Sequence, residues 1–166
     1  DDSVLLICDG KKPVAVAGIM GGENSEVKDD TTDLLLESAY FDAVVVRRGA
    51  KKLQLATDAS HRFERGTDPN GIPYALDRLA SLIVELAGGE ITQGQVDAYP
   101  NAIEPLEVSL RAERCNAILG TEIETATISN ILTGLELFHT EVQGVFQVKV
   151  PTFRPDITRE IDLIEE

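Results

Sequence analysis

Residues 57–69 read Thr-Asp-Ala-Ser-His-Arg-Phe-Glu-Arg-Gly-Thr-Asp-Pro, a run of hydroxyls, an imidazole and charges of both signs that is too polar to be core. Such a run is either a solvated loop or a binding site. Ser60 and His61 are its nucleophilic and basic groups. Ser60 lacks the Gly-x-Ser-x-Gly elbow, and no triad spacing joins it to His61 and Asp58. Nucleophilic catalysis is therefore disfavoured, and His61 reads as structural or as a donor at the margin of a site. Upstream, Glu37 sits inside the apolar run Leu34-Leu35-Leu36-Glu37-Ser38-Ala39-Tyr40-Phe41. A carboxylate there points to water or into a pocket. The turn Gly18-Ile19-Met20-Gly21-Gly22 lets a ligand approach the backbone closely, but it lacks the Gly-Lys-Ser/Thr of a phosphate-binding loop.

Two charge clusters also have chemical potential. Asp162, Glu165 and Glu166 stand at i, i+3, i+4 on one helix face, with Asp156 at the start of that helix. Crowded carboxylates repel, and a hard cation such as Mg2+ relieves them through oxygen ligands; the alternative is a solvated acidic face capped by Asp156. The second cluster is basic. Residues 47–65 hold six cations (Arg47, Arg48, Lys51, Lys52, Arg62, Arg65) against two acids. Arg47 with Lys51 and Arg48 with Lys52 are i,i+4 like-charge pairs, which cost a helix about 0.2–0.5 kcal/mol each. A local anionic partner offsets that cost; a solvated face simply tolerates it. The net charge of −14 excludes a generic nucleic-acid coat over the whole chain.

These groups need elements to hold them. Residues 4–8 and 14–17 read as a hairpin turning at Asp9-Gly10, and residues 34–38 read as a further strand. Asp42 caps a helix that runs to about Leu53. Asp68-Pro69 opens a helix that presents Ile72, Leu76, Leu79, Ile83 and Leu86 and stops at Gly88-Gly89. Residues 101–105 form a linker. After it come a half-buried strand (Leu106, Val108, Leu110), a short helix closed by Gly120, and a helix carrying Ile128, Ile131, Leu132 and Leu135. A hairpin then turns around Gln143-Gly144, and a final helix covers residues 156–166. Helices mixed with antiparallel strands indicate an α+β class in two small units, residues 1–100 and 101–166.

With 166 residues, 43% of them hydrophobic, the chain can bury a real core. No apolar run approaches the roughly 20 residues that span a bilayer. Cys8 and Cys115 form no CxxC pair and suit a reducing, cytoplasmic compartment. The first residue is not Met, and the last helix stops on Glu165-Glu166 against its own macrodipole. Both features lead us to expect an excised piece of a larger protein.

The segments Ala17-Gly18-Ile19-Met20-Gly21-Gly22, Leu35-Leu36-Glu37-Ser38-Ala39-Tyr40-Phe41 and 57–69 resemble the editing domain of bacterial phenylalanyl-tRNA synthetase beta subunits. Residues 106–166, with Val150-Pro151-Thr152-Phe153-Arg154-Pro155-Asp156-Ile157 and Asp162-Leu163-Ile164-Glu165-Glu166, resemble the fifth domain of the same subunit. The resemblance implies a heterotetramer of two catalytic alpha and two beta subunits that attaches phenylalanine to tRNA(Phe) with ATP and Mg2+. ATP is then a substrate of the whole enzyme and not a ligand of these residues. It further implies that the editing domain hydrolyses tyrosine wrongly joined to that tRNA. Glu37 reads the phenolic hydroxyl, Thr57 and Ala59 line the same pocket, and Gly21 lies on its wall. Other pocket residues, including a His and a Pro, precede Asp1. Asp156, Asp162, Glu165 and Glu166 become Mg2+ ligands at the alpha-subunit border. The competing reading is a non-catalytic module that holds tRNA, through Arg47, Arg48, Lys51 and Lys52, or the alpha subunit.

Overall fold

The computed structural model describes residues 3–166. The chain divides into two compact units, one ending at Val96 and one running Asp97–Glu166. Both mix helices with a three-stranded antiparallel sheet, as the α+β reading requires.

In the first unit, β1 (Leu6–Cys8), β2 (Pro13–Val16) and β3 (Met20–Gly21) pair in chain order. The Asp9 carboxylate tightens the first turn by accepting from the Lys11 and Lys12 amides at 2.9 and 3.0 Å. The glycine-rich turn therefore includes a short third strand, because the Gly22 amide donates back to the Val14 carbonyl at 2.9 Å. Helix α1 (Ala43–Leu53) starts where Asp42 accepts from the Val44 and Val45 amides, both at 2.9 Å. It ends where Gln54 turns left-handed. Val46 and Ala50 on α1 bury against Ile19, with Val16, Phe41, Leu55 and Phe63 around them.

Two expectations for this unit fail. Residues 31–42 form neither helix nor strand. A strand needs a partner ladder, and an apolar run alone does not supply one; Leu35 is 100% exposed. The polar run, by contrast, is ordered into helix α2 (Asp58–Phe63). Thr57 and Ser60 build a reciprocal capping box there: the Ser60 amide donates to Thr57 Oγ1 (3.0 Å) and the Thr57 amide to Ser60 Oγ (2.9 Å). Asp68 then accepts from the Asn70 amide (3.0 Å) over a 3₁₀ turn at Pro69–Gly71, which leads into α3 (Ile72–Ala87). No α3 residue is buried, and Leu86 is 82% exposed, so the expected apolar face is covered only in part.

The second unit has the larger core. β4 (Leu106–Arg111), β5 (Phe138–Val142) and β6 (Val145–Val150) form a sheet in the order β4-β6-β5. The register sets Val108 opposite Val148 and Leu110 opposite Phe146. The period of two puts these side chains on one face. Helices α4 (Ala112–Leu119) and α5 (Thr125–Gly134) cover that face through Cys115, Ile128 and Leu132. The β5–β6 turn has Gln143 at φ 51° and Gly144 at φ 79°, the positive pair that a two-residue hairpin needs.

The last helix, α6, covers only Glu160–Glu165, shorter than expected. Pro155 lies in turns that seat Ile157 in the core. Asp156 therefore caps no helix. Asp162 does that work by reaching back to the Arg159 amide (2.8 Å) and the Thr158 amide (2.9 Å). Among the described residues no helix is long and apolar enough to cross a membrane.

Candidate functional site

Three segments of the first unit meet around Gly18. Its φ of +66° is left-handed, and a Cβ there would lie 3.0 Å from Phe41, 3.1 Å from Val46 and 3.2 Å from Phe63. The Phe41 and Phe63 rings touch at 5.1 Å between centroids. Thr57 Oγ1 donates to the Ile19 carbonyl at 2.6 Å. The glycine turn, the end of the apolar run and the start of α2 are thus tied together. Gly21, Glu37, Thr57 and Ala59 all lie on these three segments.

Their individual roles differ. A Cβ on Gly21 would meet nothing within 4 Å, so packing in this chain does not require glycine there. Gly22 is the position that packing does require, since a Cβ would sit 2.4 Å from the Val14 carbonyl oxygen. The Thr57 hydroxyl is fully used, accepting from Ser60 and donating to Ile19. Ala59 follows it half-buried in the first turn of α2. Ser60 is buried, and its hydroxyl donates to the Thr57 carbonyl at 3.0 Å, so it is no free nucleophile. His61 Nδ1 lies 2.9 Å from Arg65 Nη1. A guanidinium only donates, so Nδ1 accepts and the ring proton sits on Nε2.

Glu37 stands apart. Among the described residues its carboxylate has no hydrogen bond or ion pair. The side chain meets solvent, yet enough protein crowds the carboxyl to push its pKa above the ordinary value through loss of water. Its neighbour Leu36 lines a trough of about 720 Å³ with Leu34, Leu76, Ile83 and Val84. Glu37 itself does not line that trough; an unpartnered, partly desolvated acceptor is suited to an O–H donor carried on an apolar body.

The α1 cations separate into two kinds. Arg47 and Lys51 line a cleft between α1 and α2. Lys52 instead donates to Ser3 Oγ at 2.6 Å, and Arg48 is exposed away from the cleft lining.

The four C-terminal carboxylates do not gather around one point. Asp156 takes a bidentate bond from Arg154, with Nη2 to Oδ2 at 2.6 Å and Nε to Oδ1 at 3.0 Å. Glu166 bonds the same guanidinium. The guanidinium holds the Asp156 carboxyl below its usual range. Asp162 is occupied by the Thr158 and Arg159 amides, which lower its pKa likewise. Glu165 is exposed. A divalent cation needs free carboxylate oxygens facing one position, and among the described residues no group of three such ligands exists. The residues as arranged do not fit the ion, because Arg154 supplies the positive charge. Arg154 is the residue that sequence reasoning missed; its one local signal is a cation two places before Asp156. Glu160 was missed as well. It binds Arg111 at 2.6 Å and Arg114 at 3.1 Å.

Residues 1–88 match the B3/4 domain family, and residues 108–166 match the tRNA synthetase B5 domain family. The chain is 52% identical to the phenylalanine--tRNA ligase beta subunit of Syntrophus aciditrophicus, over 99% of this chain and 21% of that protein. It is 50% identical to the one from Geobacter sulfurreducens, over 98% and 20% respectively. It is 52% identical to the one from Thermotoga maritima, again over 98% and 20%. The chain thus spans about a fifth of the length of these curated relatives.

Proposed function

Because the chain belongs to the B3/4 domain family and continues into a B5 domain, as a segment of a phenylalanine--tRNA ligase beta subunit, we propose that it serves phenylalanyl-tRNA synthesis by clearing mischarged tRNA. In this reading the first unit contributes to a site that hydrolyses tyrosine esterified to tRNA(Phe), and the second packs as the B5 domain of the same polypeptide. The observation that carries the proposal is the partly desolvated, unpartnered carboxylate of Glu37.

The physical need is one of selectivity. An apolar synthetic pocket rejects an added hydroxyl by only about a hundredfold, whereas a site that hydrogen-bonds the hydroxyl rejects the analogue lacking it by about 10⁴–10⁵. Glu37 accepts the phenolic O–H of tyrosine. Phenylalanine entering the same site would leave that carboxylate without a donor. The reaction is water attack on the ester carbonyl carbon. The acyl C–O bond to the ribose breaks, the ribose oxygen takes a proton, and tyrosine leaves as its carboxylate. No protein nucleophile is required, which agrees with Ser60 being committed to the α2 cap. Gly21 and Ala59 offer small walls, and Thr57 holds the turn against α2.

The test is deacylation of Tyr-tRNA(Phe) by the full two-subunit enzyme carrying Glu37→Ala. A lost hydrogen bond to a charged acceptor is worth about 1.5–3 kcal/mol, so deacylation should slow roughly 10- to 150-fold. Unchanged deacylation would overturn the assignment.

A second reading, a non-catalytic module for RNA binding and subunit assembly, is favoured by Arg47 and Lys51 of α1, which make no hydrogen bond or ion pair among the described residues. In either reading the partners are the alpha subunit and tRNA(Phe), with ATP used by the assembled cytoplasmic enzyme. A Mg2+ role for Asp156, Asp162, Glu165 and Glu166 would require a rearrangement in that assembly, with Arg154 releasing Asp156 and Glu166 and the Thr158 and Arg159 amides releasing Asp162.

A further inference from the structure

The cleft between α1 and α2 has a volume of about 320 Å³. Its apolar lining comes from Ala50, Leu55 and Ala56, and its cations are Arg47 and Lys51 of α1. These two stand one helical turn apart, about 6 Å along the axis. Among the described residues neither makes a hydrogen bond or ion pair. The acid on the lining, Glu64, is held by Arg65 at 2.8 Å. His61 also lines the cleft, and its Nε2–H is a donor because Nδ1 faces Arg65. In a chain of net charge −14, this is a local concentration of uncompensated positive charge around an apolar floor.

We propose that this cleft seats the backbone of a single-stranded RNA end, with Arg47 and Lys51 on its phosphates. The proposal rests on the RNA-ester reading above and names where the RNA approaches. Thr57 lines the cleft, and its hydroxyl also grips the Ile19 carbonyl in the turn before Gly21. The cleft and the candidate ester site therefore share one residue as a wall. Cations along a groove with apolar surface between them are the usual equipment for single strands, in which phosphates meet charge and bases or sugars meet apolar side chains. The arrangement also divides the basic patch. Arg47 and Lys51 act on RNA, while Lys52 is engaged with Ser3 and Arg48 faces elsewhere.

The experiment uses the full two-subunit enzyme and a tRNA(Phe) acceptor-stem hairpin with its single-stranded 3′ end, titrated by fluorescence anisotropy at several salt concentrations. Arg47→Gln with Lys51→Gln is compared with Lys28→Gln with Arg78→Gln, an equal charge change elsewhere on the unit. Gln is a good helix former, so α1 should persist. Each single-strand phosphate contact contributes about 0.7 to the slope of log K against log salt. Losing two should flatten the slope by about 1.4, so the affinity lost between about 50 and 200 mM salt shrinks by about sevenfold. The control pair should leave the slope unchanged. Equal slopes in the two variants would overturn the proposal. So would an unchanged slope accompanied by loss of alpha-subunit association, which would make the cleft a protein contact. Glu37→Ala should leave the slope intact. A failure of the ester reading therefore shows in deacylation alone, and a failure of the cleft in RNA binding alone.

Discussion

Thr57 is where the structure turns a resemblance into a mechanical role, and the role can be measured. Its Oγ1 accepts from the Ser60 amide at 3.0 Å and donates to the Ile19 carbonyl at 2.6 Å. Thr57→Val keeps the shape and removes both bonds. Losing an N-cap acceptor costs about 1 kcal/mol. Leaving the carbonyl of buried Ile19 without its donor adds about 1 kcal/mol. The sum, about 2 kcal/mol, corresponds to a roughly 30-fold rise in local opening, since about 1.4 kcal/mol is tenfold. Amide hydrogen exchange reads this directly. The His61 amide, bonded to the Thr57 carbonyl at 2.9 Å, and the Glu64 amide, bonded to Ser60 at 2.9 Å, report on α2. Both should lose about 30-fold in protection. Val148, buried in the second unit, is an internal reference that should not move. Thr57→Ser, which retains the hydroxyl, should stay close to the parent. Equal protection in parent and Thr57→Val, or equal losses in Val and Ser, would refute the strut role and leave Thr57 a plain wall.

Gly18→Ala should destabilise the first unit by about 2 kcal/mol or more. The left-handed φ costs about 1–2 kcal/mol and the crowded Phe41, Val46 and Phe63 must shift as well; chemical denaturation followed by signals of that unit would show it. Phe146, fully buried, should cost about 3–5 kcal/mol as Phe146→Ala, read as early melting of the β4–β6 sheet. Acid should weaken the second unit. Glu160 is depressed by its bond from Arg111, and Asp162 by the Thr158 amide. Their stabilisation is complete above the unfolded values of about 4 and is lost as pH falls through the lower folded values. Carboxylate titration by NMR checks this, and Glu160→Gln should flatten the acid limb. Glu37 runs the other way. Its pKa is raised by desolvation, so its contribution is present at low pH and lost as pH rises through the folded value. Glu37→Gln should therefore stabilise the first unit slightly at neutral pH.

Wherever a few neighbouring residues suffice, the sequence alone determined the outcome. Asp42 starts α1, and Gly120 and Gly88 stop their helices. Gln143-Gly144 makes the hairpin turn, and the alternation at Leu106, Val108 and Leu110 sets the sheet face. The motif residues also placed the chain in its family. The capping box at Thr57 is local too, but its fourth residue is Ser60 rather than the Glu or Gln that marks the motif in a sequence. Tertiary structure decided the rest. Residues 34–38 are apolar enough for a strand but have no partner ladder. The four acidic residues near the C-terminus look like a cation site in one dimension, yet Arg154 reaches Glu166 twelve positions away, and Glu160 reaches Arg111 across forty-nine. Arg47 and Lys51 gain their cleft only once α2 folds back beside α1, and Glu37 its raised pKa from the protein packed around it. Hydrogen-bond caps and turns depend on dihedrals a few bonds apart. Charge pairing and desolvation depend on which distant atoms fill the space around a group, and only the folded chain sets that.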